Sequence, residues 1–452
     1  MNISKYIGNR SFYKETASIA VPLALQSALQ SCQSMIDTLM VSWIGKVSAV
    51  GTAAQIDTLA MMIAYGCIGG ISIFASQFHG AGDEKNLKRC TGLGLCLVLS
   101  NALFWFLAAT FFGKAILTFY MKDAGVIADG LLYLNISRFT LLISGCTFIL
   151  SNMFRSTGQP KIALRISILT TLCNVSLNYL LIFGFAFIPA LGIQGAALAT
   201  LLAQLTALCV LLTYAIRTKQ KFIGTFTEMF GFGMRFVRPV LARILPLILN
   251  ETAFGFGQTL FIKAFGYLGK EQMDAYYAGN QIFNLMTFVI YGYGNAVQIL
   301  LGQKLGRGMI KEAKEECSMH IGLAFVLSCV LVTFLIVFAG PMVSLFALDP
   351  SIEMTAIRIV RVFAVKASMR LYNFMIFCIL RSGGDAKIIQ FLDSGLEWLV
   401  GLPCAFLCVK ALHMTDIALV LLITQLEQLV RLVLGMRRVH TYRWANDLTV
   451  LV

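Results

Sequence analysis

The chain reads as an all-α integral membrane protein with twelve transmembrane helices in two six-helix lobes, and three observations predict this. Hydrophobic residues make up 58% of the 452 positions, with 38 glycines besides, whereas soluble domains hold about 45–50% with glycine counted. Charged residues make up only 13%, half the roughly 25% of a typical soluble chain. Apolar runs of spanning length recur along the sequence, and no stretch between them exceeds about thirty residues, too few for a soluble domain of about 50 residues or more.

Residues 1–16 are polar and carry Lys5, Arg10 and Lys14. The run that follows exceeds the about 7–15 apolar residues of a cleaved signal, so it is expected to remain as the first span. A helix needs about 20 apolar residues to cross the bilayer and a barrel strand only about 9–11, so the runs predict helices. Six lie near Ile19–Trp43, Val50–Phe78, Cys90–Gly113, Leu131–Phe154, Ile166–Phe187 and Gly192–Ile216. Six more lie near Leu241–Leu268, Ala275–Leu301, Cys317–Phe338, Met354–Leu380, Ile388–Val409 and Ile417–Gly435. The expected organisation is an N-terminal segment 1–16, an amino lobe 17–220, a linker 221–240, a carboxyl lobe 241–438 and a tail 439–452.

The formal net charge is +14. Of the 36 lysines and arginines, 24 fall in the termini and alternate connections, five on the opposite side and seven within spans. Cytoplasmic loops retain positive charge, so both termini are predicted cytoplasmic, and the basic excess calls for no nucleic-acid partner. Most of the twelve cysteines sit inside apolar runs, and the four histidines are scattered. That distribution predicts buried thiols and neither a disulfide framework nor a zinc site. No nucleophile–base pair or cofactor fingerprint appears in the loops, so neither an enzyme nor a bound cofactor is expected.

The two halves repeat. Gly45-Lys46 and Gly269-Lys270 are 224 positions apart, as are Pro22 and Pro246; Gln55-Ile56 and Gln281-Ile282, Gln77 and Gln303, Gly80 and Gly306, Gly82 and Gly308, and Arg155-Ser156 and Arg381-Ser382 are 226 apart. Six spans per copy point both copies the same way, an arrangement found in transporters whose substrate passes between two bundles. Pro22 followed by Asp37, then Ser76-Gln77-Phe78-His79-Gly80-Ala81-Gly82, Arg155-Ser156-Thr157-Gly158-Gln159-Pro160, Leu191-Gly192-Ile193-Gln194-Gly195-Ala196-Ala197, Gln303-Lys304-Leu305-Gly306 and Leu380-Arg381-Ser382-Gly383-Gly384-Asp385 together resemble the multidrug and toxic compound extrusion (MATE) family over nearly the whole chain. The resemblance implies a V-shaped pair of lobes that exchanges inward Na⁺ or H⁺ for outward movement of drugs or metabolites.

Polar groups inside the spans are the candidate site. Asp37 lies six residues before Trp43, about 9 Å along the helix. Asn174 and Asn178 share one face of the fifth span, and Asn178 falls at a similar depth. A carboxylate with two amide oxygens offers hard ligands for a small cation such as Na⁺, or a titratable site; otherwise the pair simply pins two helices. The resemblance assigns these positions to the amino-lobe cation site and adds Thr200, whose other reading is a hydroxyl bonded back to its own helix. The family often has aspartate where this chain has Asn178. Asp57, at the depth of Asp37, is either a second acid or a rim residue.

In the carboxyl lobe, Glu251 stands where relatives commonly carry a functional acid. Arg370, Glu397 and Glu427 are expected to meet near mid-membrane, about 15–17 Å deep, with Lys366 one turn from Arg370. These groups are expected to form a buried ion-pair cluster whose leading role is structural, with Glu251 and Glu427 kept as coupling candidates. Phe254, Phe256, Tyr276, Tyr277, Tyr291 and Tyr293 either line a cavity for flat cations or pack in the core. The sequence thus predicts a monomeric antiporter of the cell membrane, coupled to Na⁺ or H⁺ and exporting small cationic organic compounds. The alternative is a flippase for a lipid-linked saccharide, with Arg361, Lys366 and Arg370 facing its pyrophosphate.

Overall fold

The computed structural model describes residues 3–120, 123–185, 189–345 and 350–451. Among them there is no strand. Beyond a short 3₁₀ turn at Ile3–Tyr6, the helices of the first half are α1 (Arg10–Ser42), α2 (Val47–Ala81), α3 (Glu84–Tyr120), α4 (Ala124–Ser156), α5 (Pro160–Phe183) and α6 (Ile193–Arg217). A short α7 (Phe226–Phe230) follows, then α8 (Met234–Gly266), α9 (Lys270–Gly306), α10 (Ile310–Val337), a short α11 (Ala339–Ser344) and α12 (Pro350–Ser382). The last two are α13 (Ala386–Ala411) and α14 (Ile417–His440). The expected span end at Phe187 and the basic residue Lys122 lie outside the described residues.

Eleven of these helices are long and apolar enough to cross a membrane. The twelfth, α1, is 33 residues long but carries Gln26, Gln30, Gln33, Ser34, Asp37 and Thr38 in its second half. The protein is therefore a multi-pass membrane protein of the predicted class. Its repeated motifs are turn devices: Gly82, Gly158, Gly308 and Gly384 close α2, α4, α9 and α12 with φ of +73°, +76°, +75° and +77°. Glycine alone adopts that backbone without steric cost, and it lets each helix stop sharply.

Contacts divide the chain into two compact units, Leu25–Ile248 and Met1–Ala24 with Leu249–Leu451. This differs from the expected partition at 221–240. The boundaries fall inside α1 and α8, two residues beyond Pro22 and Pro246, which lie within those helices. A helical proline removes one backbone bond and clashes with the preceding turn, so each boundary falls just after a locally weakened stretch of helix.

In the Leu25–Ile248 unit, α2 and the first part of α8 touch through backbone. A Cβ on Gly66 would lie 2.5 Å from Ile248 Cα, and one on Gly70 2.4 Å from Ile244 Cγ1. Close helix packing is thus what Gly66 and Gly70 allow. The linker is also folded: Thr225 and Glu228 form a capping box at the start of α7, and Met229 O sits 2.0 Å from where a Gly92 Cβ would be. Lys88 of α3 bonds Glu228 Oε1 at 2.9 Å.

In the other unit, Ile19 and Leu23 pack on Ala296, Ile299 and Leu300 of α9. The ring of Phe12 lies 4.8 Å from buried His320 of α10. Residues 441–451 are no loose tail: Trp444 is fully buried, and its indole donates to Val439 O at 3.1 Å. In α13, Phe391–Gly395, Glu397–Gly401 and Leu407–Ala411 are π-helical, a widened turn often found where side chains are re-aimed for function.

Gly66→Val is expected to destabilise the protein by about 1–3 kcal/mol, the usual cost of overpacking a rigid contact, read as a lower melting temperature in detergent. The Lys88 hydrogen bond, with those of Thr225, holds the Glu228 carboxyl down from its ordinary 4.5 to about 2. A depressed acid stabilises above its unfolded value and loses that contribution as pH falls. Docking of α7 should therefore weaken as pH drops from about 4.5 towards 2. Limited proteolysis across residues 218–233 reads this, and Glu228→Gln should abolish the pH dependence.

Candidate functional site

Three polar rungs join α1 to α5. Gln26 Nε2 donates to Ser167 Oγ at 2.9 Å, Thr171 Oγ1 donates to Gln33 Oε1 at 3.1 Å, and Asn178 Nδ2 donates to Asp37 Oδ1 at 2.6 Å. The spacing is what places them. Gln26, Gln33 and Asp37 fall on one stripe of α1, and Ser167, Thr171, Asn174 and Asn178 recur every three or four residues along α5. The polar half of α1 is thus the face that meets α5.

The last rung extends inward. Asn178 Nδ2 also donates to Asn174 Oδ1 at 3.2 Å, and Asn174 Nδ2 donates to Thr200 Oγ1 of α6 at 3.4 Å. Thr200 in turn donates to Ala196 O at 3.1 Å, so the hydroxyl is both bonded back to its helix and part of the network. Asp37, Asn174, Asn178 and Thr200 are brought together as the sequence predicted. Asn174 and Asn178 are 0% and 2% exposed, while Asp37 is half-buried. Asn178 Oδ1 is buried with no hydrogen-bond partner.

Beside this network is a cavity of about 520 Å³ in the same unit. Amides and hydroxyls of α1, α4, α5 and α6 line it, together with Tyr65 and Tyr133, and its walls carry a single acid, Asp37, and no basic side chain. Gln26, Gln33 and Thr171 were not singled out from the sequence, although their period along two helices signalled them. Asp57 does not line the cavity; it is half-buried in α2 and interacts electrostatically with Tyr133, as does Asp37.

The other unit gathers charge differently. Arg431 of α14 is its centre: Nη1 bonds Asp393 Oδ1 at 2.9 Å, and Nη2 bonds Asp393 O at 2.8 Å and also Glu427. Asn250 Nδ2 donates to Asp393 Oδ2 at 3.0 Å, and its Oδ1 accepts from Ser394 N at 3.1 Å.

The expected cluster changes in three respects. Arg370 faces Asp393 at 4.0 Å and makes no ion pair with Glu397. Glu251 pairs instead with Arg381 at 2.7 Å, outside the Arg431 network. Glu397 accepts from Gln258 Nε2 at 2.5 Å, and Gly257 makes room for that carboxylate: a Cβ there would lie 2.6 Å from Glu397 Cδ. Lys366 rests on the rings of Phe283 and Phe363, 4.7 and 4.8 Å from their centroids. Asp393 and Arg431 were missed as site residues because neither has a motif spacing; only their charge inside an apolar run pointed to them. Arg361 is exposed, so the three bases of the flippase alternative do not share one environment.

The rungs repeat at the offsets of the sequence. Asn250 and Asp393 lie 224 and 226 positions after Gln26 and Ser167, and Glu397 lies 226 after Thr171. Phe261 and Cys404 replace Asp37 and Asn178 at the third rung. The first and fifth spans of each half are therefore joined by polar rungs. The acid stands on the third rung in one half and on the first two in the other.

Comparisons with known proteins show the family and the fold. The sequence model of the MatE family matches residues 22–180 and 246–407, one segment in each repeat. The chain is 24% identical over 404 residues to an uncharacterized transporter, YisQ, of Bacillus subtilis, covering 86% of each protein. It is 22% identical over 420 residues to a probable multidrug resistance protein, NorM, of Neisseria meningitidis serogroup B, covering 89% of each. Among solved structures it superposes on MATE in the bent conformation, with a TM-score of 0.85 at 17% identity over 98% of both chains. An outward-facing multidrug resistance MATE family transporter gives the same TM-score, identity and coverage. With its family model matched in both halves and its fold shared end to end, the chain belongs to the MatE family.

Proposed function

We propose that the protein is a cation-coupled antiporter that exports organic compounds across the cell membrane, with both termini in the cytoplasm and Asp37 at the coupling site. The observation that carries this reading is a buried, orphaned oxygen, Asn178 Oδ1, on the same amide whose nitrogen bonds Asp37, the one acid lining the cavity. A buried acceptor without a partner is costly, and a proton shared with Asp37 or a small cation relieves it. Asp37, Asn174, Asn178 and Thr200 supply carboxylate, amide and hydroxyl oxygens, a donor set suited to a hard cation such as Na⁺.

The chemistry couples naturally to movement. With its carboxylate bare, Asp37 accepts the hydrogen bond that the Asn178 amide donates. A bound cation competes for the same oxygens, so α1 and α5 meet differently in the two states. A ligand shifts such an equilibrium only by its differential affinity for the two arrangements, and the third rung is where that difference arises. The walls, with one acid and many neutral donors and acceptors, suit an organic cation that carries hydrogen-bonding groups. The relatives named as probable multidrug resistance proteins support export of drugs as the general task.

Efflux of a fluorescent cationic dye from proteoliposomes, driven by a Na⁺ gradient or a pH gradient imposed separately, tests the proposal. One gradient should drive efflux, and Asp37→Asn should reduce it to the protein-free background without lowering the melting temperature. Asn178→Asp adds a full charge to the shell and should tighten half-saturation by the driving cation by about tenfold, equivalent to about 1.4 kcal/mol. Undiminished efflux by Asp37→Asn would remove the site from the mechanism.

A further inference from the structure

Glu397 stands apart from the charge cluster around it. It is 1% exposed. Its Oε1 accepts from Gln258, and its Oε2 is buried with no partner. No lysine or arginine stands within ion-pair distance of it among the described residues, whereas Asp393 and Glu427 are both paired with Arg431. The charged groups that face it are Asp393 from its own helix α13, Glu427 and Arg431 from α14, and, across the cluster from α12, Lys366. From α8 comes only the neutral amide of Gln258.

A carboxylate buried without a cation, next to two other acids, is the least favourable ionised group in such a cluster. The neutral acid removes the conflict: a proton on Oε2 leaves Oε1 as the acceptor that Gln258 already uses. The complementary oddity is Lys366. Its ammonium makes no ion pair among the described residues and rests on the faces of Phe283 and Phe363. Arg370, one turn along α12, has Asp393 at 4.0 Å and the ring of Phe254 at 5.2 Å.

We propose that Glu397 is a proton-binding site of the carboxyl-terminal half, separate from Asp37, and that Lys366 is the reserve cation that compensates it when the proton leaves. In the step, the O–H bond on Oε2 breaks, its electron pair stays on the carboxylate and the proton passes to water. The new charge then draws the ammonium of Lys366 off the two phenyl faces. The protonated state holds Lys366 on the rings, and the deprotonated state pulls α12 towards α13 at this level. The π-helical turn at Glu397–Gly401 and the bare backbone of Gly257 provide the space for the carboxyl. The proposal stands independently of the coupling role assigned to Asp37.

Infrared difference spectroscopy of the full-length protein in liposomes, titrated with alkali, tests it. A carboxylic-acid C=O band should be present at neutral pH, disappear in Glu397→Gln and persist in Asp37→Asn. Glutamine keeps the acceptor that Gln258 needs, so the variant is expected to fold, and its melting temperature checks this. In Lys366→Met the band should remain and titrate at a pH higher by about one unit or more, because the compensating charge is gone. A band unchanged by Glu397→Gln would show that Glu397 is ionised and overturn the site. An unshifted titration in Lys366→Met would overturn the role of Lys366.

Discussion

A bilayer core contains no water, so a polar side chain kept inside a spanning helix must find its partner within the protein, and an amide or carboxyl finds it mostly on another helix. In this protein that constraint concentrates polar groups on the seams between the first and fifth spans of each half, α1 with α5 and α8 with α13. The rest of the structure is arranged around those seams. Glycines hold the surrounding helices close, as Gly66 and Gly70 do for Ile248 and Ile244. The motif glycines at 82, 158, 308 and 384 stop helices with left-handed turns, which fixes the length and register with which each seam is presented.

The two seams share a plan and differ in charge. In the first half an acid stands only on the third rung, facing a cavity, and its amide partner keeps one oxygen free. In the second half the acids stand on the first two rungs, and Arg431 from the last span binds Asp393 and Glu427. Such a buried network is held together strongly once formed, because removal of one member strands the others. Duplication thus supplied two similar interfaces, one open and singly charged, the other closed and densely charged.

Much of this was legible in the sequence. Twelve apolar runs, the basic asymmetry of the connections and the 224–226 offset specified the class, and the depths of Asp37 and Asn178 along their helices placed those two residues at a similar level, while the family resemblance assigned them to one site. The pairing inside the second half was not legible. Helical depth alone placed Arg370, Glu397 and Glu427 at one level, but which arginine meets which acid depends on helix rotation and on α13, whose π-helical turns shift the phase of Asp393 and Glu397. The division of α1 at Pro22 was also hidden, because hydropathy treats a helix as one span whichever unit each part packs against.

The central claim is that a cation bound at Asp37 replaces the bond from Asn178 and so changes how α1 meets α5. Hydrogen–deuterium exchange of the protein in nanodiscs, with and without the driving cation at saturating concentration, tests it most directly. A change of protection confined to Leu25–Ser42 and to the second half of α5, and absent in Asp37→Asn, is the predicted result. Identical exchange along both helices with and without the cation would contradict the account.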